Sequence, residues 1–219
     1  MLEAIEIEPR GAAECAVIWL HGLGADGADF EPLVAQWRLG EELPVRFVLP
    51  HAPVRPVTLN GGMRMRAWYD IYDLSFDSTE DARGIEQARQ QLLQLVEREC
   101  DRGIDSRRIL LAGFSQGGAV ALHTAVRLEQ PLAGVLALST YLPLPERLAN
   151  EKRGTTDEFA IRMDHGDEDE VVPLRAAELS CEHLRSAGFP VEFNHYPMGH
   201  SLCPEQADSL RAWILTLFR

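Results

Sequence analysis

The sequence predicts an α/β fold in which a mainly parallel sheet is covered by helices on both faces. Short, nearly continuous apolar runs such as Ala16 to Leu20 (AVIWL) and Val135 to Ser139 (VLALS) read as strands buried on both sides. Stretches with apolar residues at helical spacing alternate with these runs, and no repeat or low-complexity segment interrupts the alternation. With 219 residues, 46 % of them hydrophobic, the chain can bury one sizeable core, and residues 1 to 219 are read as a single domain.

Taken in order, Leu2 to Ile7 alternates weakly and is expected as an edge strand. Ala16 to Leu20 is a buried strand that ends at His21-Gly-Leu-Gly24. Asp29 to Trp37 is a short helix, with Asp29 as its cap. Val45 to Leu49 (VRFVL) is the next strand, stopped by Pro50 and followed by Pro53 and Pro56. A long loop is expected from there through Asn60-Gly-Gly62 and Trp68 to Asp70 (WYD), on to Phe76; loops of that length in compact domains tend to be functional. Thr79 to Arg102 has no proline and places Ile85, Leu92, Leu93 and Val96 near one face, as a long amphipathic helix does. Arg108 to Phe114 (RILLAGF) is a buried strand, and Gln116 to Leu128 a helix with Val120, Thr124 and Leu128 along one face. Val135 to Ser139, Phe159 to Met163 and Val191 to Tyr196 complete the strands. Helices over Leu174 to Ala187 and Glu205 to Phe218 complete the chain.

The strand-to-helix junction Gly113-Phe-Ser115-Gln-Gly117 has the G-x-S-x-G pattern of a nucleophile elbow. In such an elbow a serine sits in a strained turn and the glycines let the backbone pass without side-chain clashes. The pattern alone recurs by chance, so its context carries the reading: a buried strand before it and a helical face after it.

A serine hydroxyl is a weak nucleophile at neutral pH. It needs a histidine to take its proton and a carboxylate to fix that imidazole's tautomer. In α/β-hydrolases these follow in the order serine, acid, histidine. That order removes His21, His51 and His123 as the base, and His165 if the acid follows it. His183 lies mid-helix and His195 within a strand, whereas His200 occupies the turn Tyr-Pro-Met-Gly-His-Ser after the last strand, where functional groups of open parallel sheets gather. The acid is expected in His165-Gly-Asp167-Glu-Asp169-Glu170, directly after a strand. This loop also reads as a solvated acidic run, and it lacks the ligand pattern of an EF-hand. Spacing does not separate Asp167 from Asp169. For the oxyanion, Gln116 supplies a backbone N–H at the helix start, and the glycine turn 21 to 24 nominates Leu23 for a second.

The net charge of −13 argues against phosphate-backbone binding and against attraction to anionic membranes. Cys15, Cys100, Cys181 and Cys203 show no C-x-x-C and no metal-ligand spacing, so reduced thiols and a cytoplasmic location are expected. No basic leader precedes an apolar run and no stretch is long enough to span a bilayer, so no stable membrane insertion is expected.

With HGLGADGADF, NGGMRMRAWYDI, GFSQG, HGDEDEVVP and YPMGHS in this order, the chain resembles the bacterial carboxylesterases of the acyl-protein thioesterase and small phospholipase/carboxylesterase family. The likeness runs from about Val17 to the C-terminus. It implies an α/β-hydrolase fold without a large cap domain, and it places the acid of H-G-x-x-D on Asp169 and the base on His200. It further implies that the loop through Trp68, with Val172 and Met198, shapes an acyl site, and by analogy that the protein forms a homodimer. The polar stretch Asn150 to Thr156, and Arg162 with Asp164 in a strand more often apolar, depart from the family's pattern.

The function expected is a serine hydrolase that cleaves carboxylic esters of short to medium acyl chains, or thioesters, through an acyl-enzyme on Ser115. No metal or organic cofactor is implied, and the partner is a small-molecule ester or acylated substrate rather than nucleic acid. The alternatives are a protein depalmitoylase or lysophospholipase and, in another class, a non-catalytic receptor that keeps the hydrolase fold as a ligand pocket.

Overall fold

The computed structural model describes residues 2–73, 79–152 and 160–219. Its elements in chain order are β1 (Ala4–Ile7), β2 (Cys15–Leu20), α1 (Glu31–Trp37), β3 (Val45–Pro50), β4 (Val54–Val57), β5 (Met63–Arg66), α2 (Ala82–Asp101) and β6 (Ile109–Phe114). There follow α3 (Gln116–Ala125), β7 (Gly134–Leu138), α4 (Leu148–Glu151), β8 (Ala160–Gly166), α5 (Leu174–Ser186), β9 (Val191–Tyr196) and α6 (Pro204–Phe218). Seven strands form one sheet in the order β1-β3-β2-β6-β7-β8-β9. Only β1 runs antiparallel, pairing Ala4 with Pro50 at the sheet's edge. The other neighbours are parallel.

Alternation along the strands divides the core in two. Cys15, Val17 and Trp19 face one side of the sheet with Phe47, Leu110 and Leu136, where α1 and α6 bring Val34, Trp37, Leu210 and Ile214. Ala16, Ile18 and Leu20 face the other side, where α2, α3 and α5 pack with Ile85, Leu92, Val120 and Leu184. Burial on both faces is what the uninterrupted apolar runs predict.

Three expectations are corrected. Asp29 does not cap the short helix: a 3₁₀ turn over Gly27–Phe30, capped by Asp26 accepting from the Ala28 N–H, precedes α1 and contains Asp29, and α1 itself starts after Phe30 with no side-chain cap. The long loop after Pro50 contains a two-stranded antiparallel hairpin of β4 and β5, paired from Val54↔Arg66 to Val57↔Met63. The helix expected from Thr79 starts at Ala82, because Asp81 caps it by accepting from the Gly84 N–H. Phe76, Phe159 and residues 153 to 156 lie outside the described residues. Among the described residues, no helix is long and apolar enough to cross a membrane.

Candidate active site

The carboxyl ends of β2, β6, β8 and β9 bring the site together. Ser115 follows β6 directly and has φ 53° and ψ −123°, a left-handed backbone costly for a non-glycine residue. Tethers on both sides hold this conformation: the Ser115 N–H donates to Leu138 O at 2.8 Å, and Thr140 Oγ1 donates to Ser115 O at 2.7 Å. The flanking glycines are required by close approach. A Cβ on Gly113 would overlap the backbone of Gly117, and one on Gly117 would overlap the carbonyls of Leu20 and His21.

Ser115 Oγ lies 3.0 Å from His200 Nε2, and His200 Nδ1 lies 2.7 Å from Asp169 Oδ2. A carboxylate only accepts, so Nδ1 carries the imidazole proton and the Nε2 lone pair is left to receive the serine hydroxyl's proton. The other carboxylate oxygen of Asp169 accepts from the N–H groups of Val171 and Val172 at 2.9 and 2.8 Å. The Asp169 side chain is fully buried, whereas His200 keeps 17 % exposure toward the cavity. Phe114 packs against the imidazole with ring centroids 4.8 Å apart.

The acid loop and the histidine turn meet because Gly166 has no side chain: a Cβ there would run into the carbonyls of Met198 and Gly199. His165 Nε2 is 2.7 Å from Val172 O and 3.5 Å from Asp169 Oδ2. A carbonyl only accepts, so Nε2 is the protonated nitrogen, and its N–H holds the segment that carries Asp169. Burial keeps this imidazole's pKa below the ordinary histidine value.

Spacing alone leaves Asp167 and Asp169 open; the structure separates them. Asp167 Oδ1 bonds the exposed His195 at 2.6 Å, away from the serine. Of the two, Asp169 meets His200. His51 is occupied in accepting from the Gly27 N–H, and His123 is a buried residue of α3.

Leu23 and Gln116 both line the cavity beside Ser115. Gln116 is the first residue of α3, where backbone N–H groups have no intrahelical acceptor. In the glycine turn the N–H of Gly24 donates to Arg66 O and that of Ala25 to Gly22 O, while among the described residues the Leu23 N–H has no backbone acceptor.

The cavity has a volume of about 710 Å³, and Ser115 and His200 are among its lining residues. Leu59, Ile71, Tyr72, Leu142, Val172 and Leu179 give it a mainly apolar wall. Val172, which the resemblance nominates, is among these lining residues. Trp68 and Met198 are corrected: neither lines the cavity. Trp68 turns inward, its indole N–H donating to His21 O at 2.8 Å and its backbone N–H to Gln116 Oε1 at 2.9 Å. Met198 is buried, with its carbonyl accepting from the Glu168 N–H. The residues next to Trp68, from Tyr69 to Tyr72, form that wall instead.

Two features were missed in the sequence. The Gln116 side chain clamps the WYD segment, taking the Trp68 N–H and giving its amide N–H to Tyr69 O at 2.8 Å. A part-buried polar group of Tyr69, Tyr141 and Glu80 sits in the cavity's wall, with the two phenol oxygens 3.0 Å apart. Burial raises the Glu80 carboxyl above its ordinary pKa. The only signal for either was the WYD motif itself. Among the described residues, no cluster of three or more His, Cys, Asp or Glu side chains is arranged to hold a metal.

Residues 3–218 match the phospholipase/carboxylesterase family. The chain belongs to that family. It is 39 % identical to acyl-protein thioesterase 1 of Gibberella zeae across 90 % of this chain and 88 % of that one. It is 34 % identical to acyl-protein thioesterase 1 of Cryptococcus neoformans, across 98 % and 97 %. These relatives are fungal. The crystal structure of Zea mays acyl-protein thioesterase 2 superposes with a TM-score of 0.87 over the whole of both chains at 28 % identity. Arabidopsis thaliana SOBER1 gives 0.87 at 28 % identity, over 94 % of this chain and all of that one. The phospholipase/carboxylesterase chain described here therefore has the α/β-hydrolase fold and is a serine hydrolase of the esterase and thioesterase type.

Proposed function

We propose that Ser115 is the nucleophile, His200 the general base and acid, and Asp169 the group that orients the imidazole. Ser115 Oγ attacks the acyl carbonyl as His200 Nε2 takes its proton. The N–H groups of Leu23 and Gln116 receive the developing oxyanion. His200 then protonates the departing alcohol or thiol, and an acyl group remains on Ser115. Water enters, His200 deprotonates it, and the second tetrahedral intermediate collapses to the carboxylic acid and free serine. The observation that carries this reading is the continuous chain Ser115–His200–Asp169, whose serine and histidine line a largely apolar cavity.

The substrate class proposed is an acyl ester or thioester whose hydrocarbon part lies along Tyr72, Leu142, Val172 and Leu179. The names of the 34 to 39 % identical relatives favour acyl groups carried by protein thiols. Ser115→Ala should abolish turnover and labelling by a fluorophosphonate while the fold persists; undiminished turnover would refute the assignment. A rate series from acetyl to palmitoyl, with oxygen and thiol esters compared, tests the substrate class. A preference for longer thioesters on a peptide supports the protein-directed reading, and confinement to short oxygen esters refutes it. A cytoplasmic homodimer is proposed as its working form, and light scattering at twice the chain mass of 24.5 kDa is the expected result.

A further inference from the structure

The histidine of the HGLG turn has no part in the proton transfers, yet it is fully buried and beside them. His21 Nδ1 lies 2.7 Å from Gly22 O, and His21 Nε2 receives the Ala52 N–H at 3.0 Å. Nε2 is therefore the acceptor nitrogen and Nδ1 the donor. Burial, which lowers the pKa of this imidazole, keeps it neutral and preserves that division. The ring has little freedom to turn. Trp68 packs on it with ring centroids 5.3 Å apart, and the Trp68 indole ties down the His21 carbonyl.

The carbonyl of Gly22 and the N–H of Leu23 belong to one planar peptide unit, in which the two bonds point in opposite directions. Fixing one end aims the other. Gly22 O accepts from His21 Nδ1–H and, at 3.3 Å, from the Ala25 N–H. Gly22 itself lies against the nucleophile, since a Cβ on it would meet Ser115 Cβ at 3.5 Å. We propose that His21 is a positioning residue for the oxyanion site: by donating from Nδ1 to Gly22 O it fixes and polarises the peptide whose Leu23 N–H meets the developing charge. This rests on the reading of Leu23 as an oxyanion donor.

Two substitutions separate the ring's two jobs. In His21→Asn the amide nitrogen occupies the Nδ1 position and keeps the donor to Gly22 O, while the contact to Ala52 is lost. In His21→Gln the amide oxygen reaches the Ala52 N–H, while the donor to Gly22 O is lost. The readouts are kcat and KM on a short acyl ester, with binding of a trifluoromethyl ketone, which forms an oxyanion on Ser115, compared with an ether analogue that does not. His21→Gln should lose about tenfold to a hundredfold in kcat and a similar factor in ketone binding, somewhat less than outright removal of an oxyanion donor. KM and ether binding should stay near those of the native enzyme, and His21→Asn should retain kcat within a few-fold.

Equal losses in the two variants, or native kcat in His21→Gln, would overturn the proposal. A native enzyme that binds the ketone no better than the ether would instead count against the hydrolase mechanism itself. Nitrogen NMR of the native protein's histidines gives a test that needs no variant. His21 should be neutral with the proton on Nδ1, and a proton on Nε2 would overturn the proposal even if neither variant folds.

Discussion

Asp167 and Asp169 have the same side chain two positions apart in one loop, and their surroundings give them different tasks. Asp169 is buried and held by two backbone N–H groups, so its remaining oxygen has one direction in which to meet His200. Asp167 stays at the surface with His195, where a solvent-exposed contact contributes little. Asp169→Asn should therefore lower kcat about 10³- to 10⁴-fold by leaving the imidazole in the wrong tautomer, as in other serine hydrolases. Asp167→Asn should stay near native activity, and steady-state kinetics on one ester distinguishes the two. Ser115 and His200 could be nominated from the sequence because each occupies a short motif just after a strand. Trp68 was misread because an aromatic in a loop shows nothing about which way it points; that depends on hydrogen bonds it donates to His21 O and Gln116 Oε1, which lie 47 and 48 residues away.

Among the elements, β8, β9 and α6 matter most to the site, since β8 leads into Asp169 and the β9-to-α6 turn carries His200. Arg162 joins all three: its guanidinium donates to both oxygens of Asp164 at 2.9 Å, to Tyr196 Oη at 3.2 Å and to Ser209 Oγ at 2.8 Å. Asn194 donates to the same carboxylate at 3.0 Å. The polar pair that departs from the family's usual strand is thus a buried, hydrogen-bonded network. Arg162→Met should cost about 3–5 kcal/mol, because Asp164 is left buried without its cation. The double variant Arg162→Met, Asp164→Leu should recover part of that loss, and urea denaturation measures both. Strands buried on two faces were legible because they read as unbroken apolar runs. The hairpin of β4 and β5 was not: Pro56 and exposed residues such as Val54 and Met63 remove the alternation that marks a half-buried strand. Asp26 was passed over for Asp29 because both precede the apolar stretch, and the 3₁₀ turn that starts after Asp26 and contains Asp29 is not marked in the sequence.

Across the whole molecule, acidity and burial combine. Net charge is −13, and every basic side chain except Lys152 and the histidines is arginine. The buried Glu99 takes three of these arginines, Arg46, Arg98 and Arg102, and so fastens α2 to β3. Burial also keeps three imidazoles neutral: His21, His165 and His123, the last with its pKa brought down from 6.5 to about 3. In the unfolded chain each takes up a proton as pH falls through about 6.5, whereas His123 in the folded chain does not until about 3. Its contribution to stability is therefore complete above the ordinary histidine pKa and declines as pH falls between those two values. The slope is about 1.4 kcal/mol per pH unit for that proton. Glu80, whose pKa burial raises, works in the opposite sense. Denaturation midpoints should fall from neutral pH toward pH about 5, and His123→Leu should flatten the profile by one proton. Parallel order and two-sided burial made the fold class readable, whereas the cavity, built from segments far apart in the chain, was not.

In the proposed reaction the acyl group passes through a covalent bond to Ser115. Its most direct test is mass spectrometry of the protein quenched during turnover of an activated ester or thioester. The expected result is one acyl mass increment on the peptide containing Ser115, absent from Ser115→Ala and accumulating when deacylation is slowed. Turnover with no adduct on that peptide, or an adduct carried by another residue in a Ser115→Ala protein that still turns over, would contradict it.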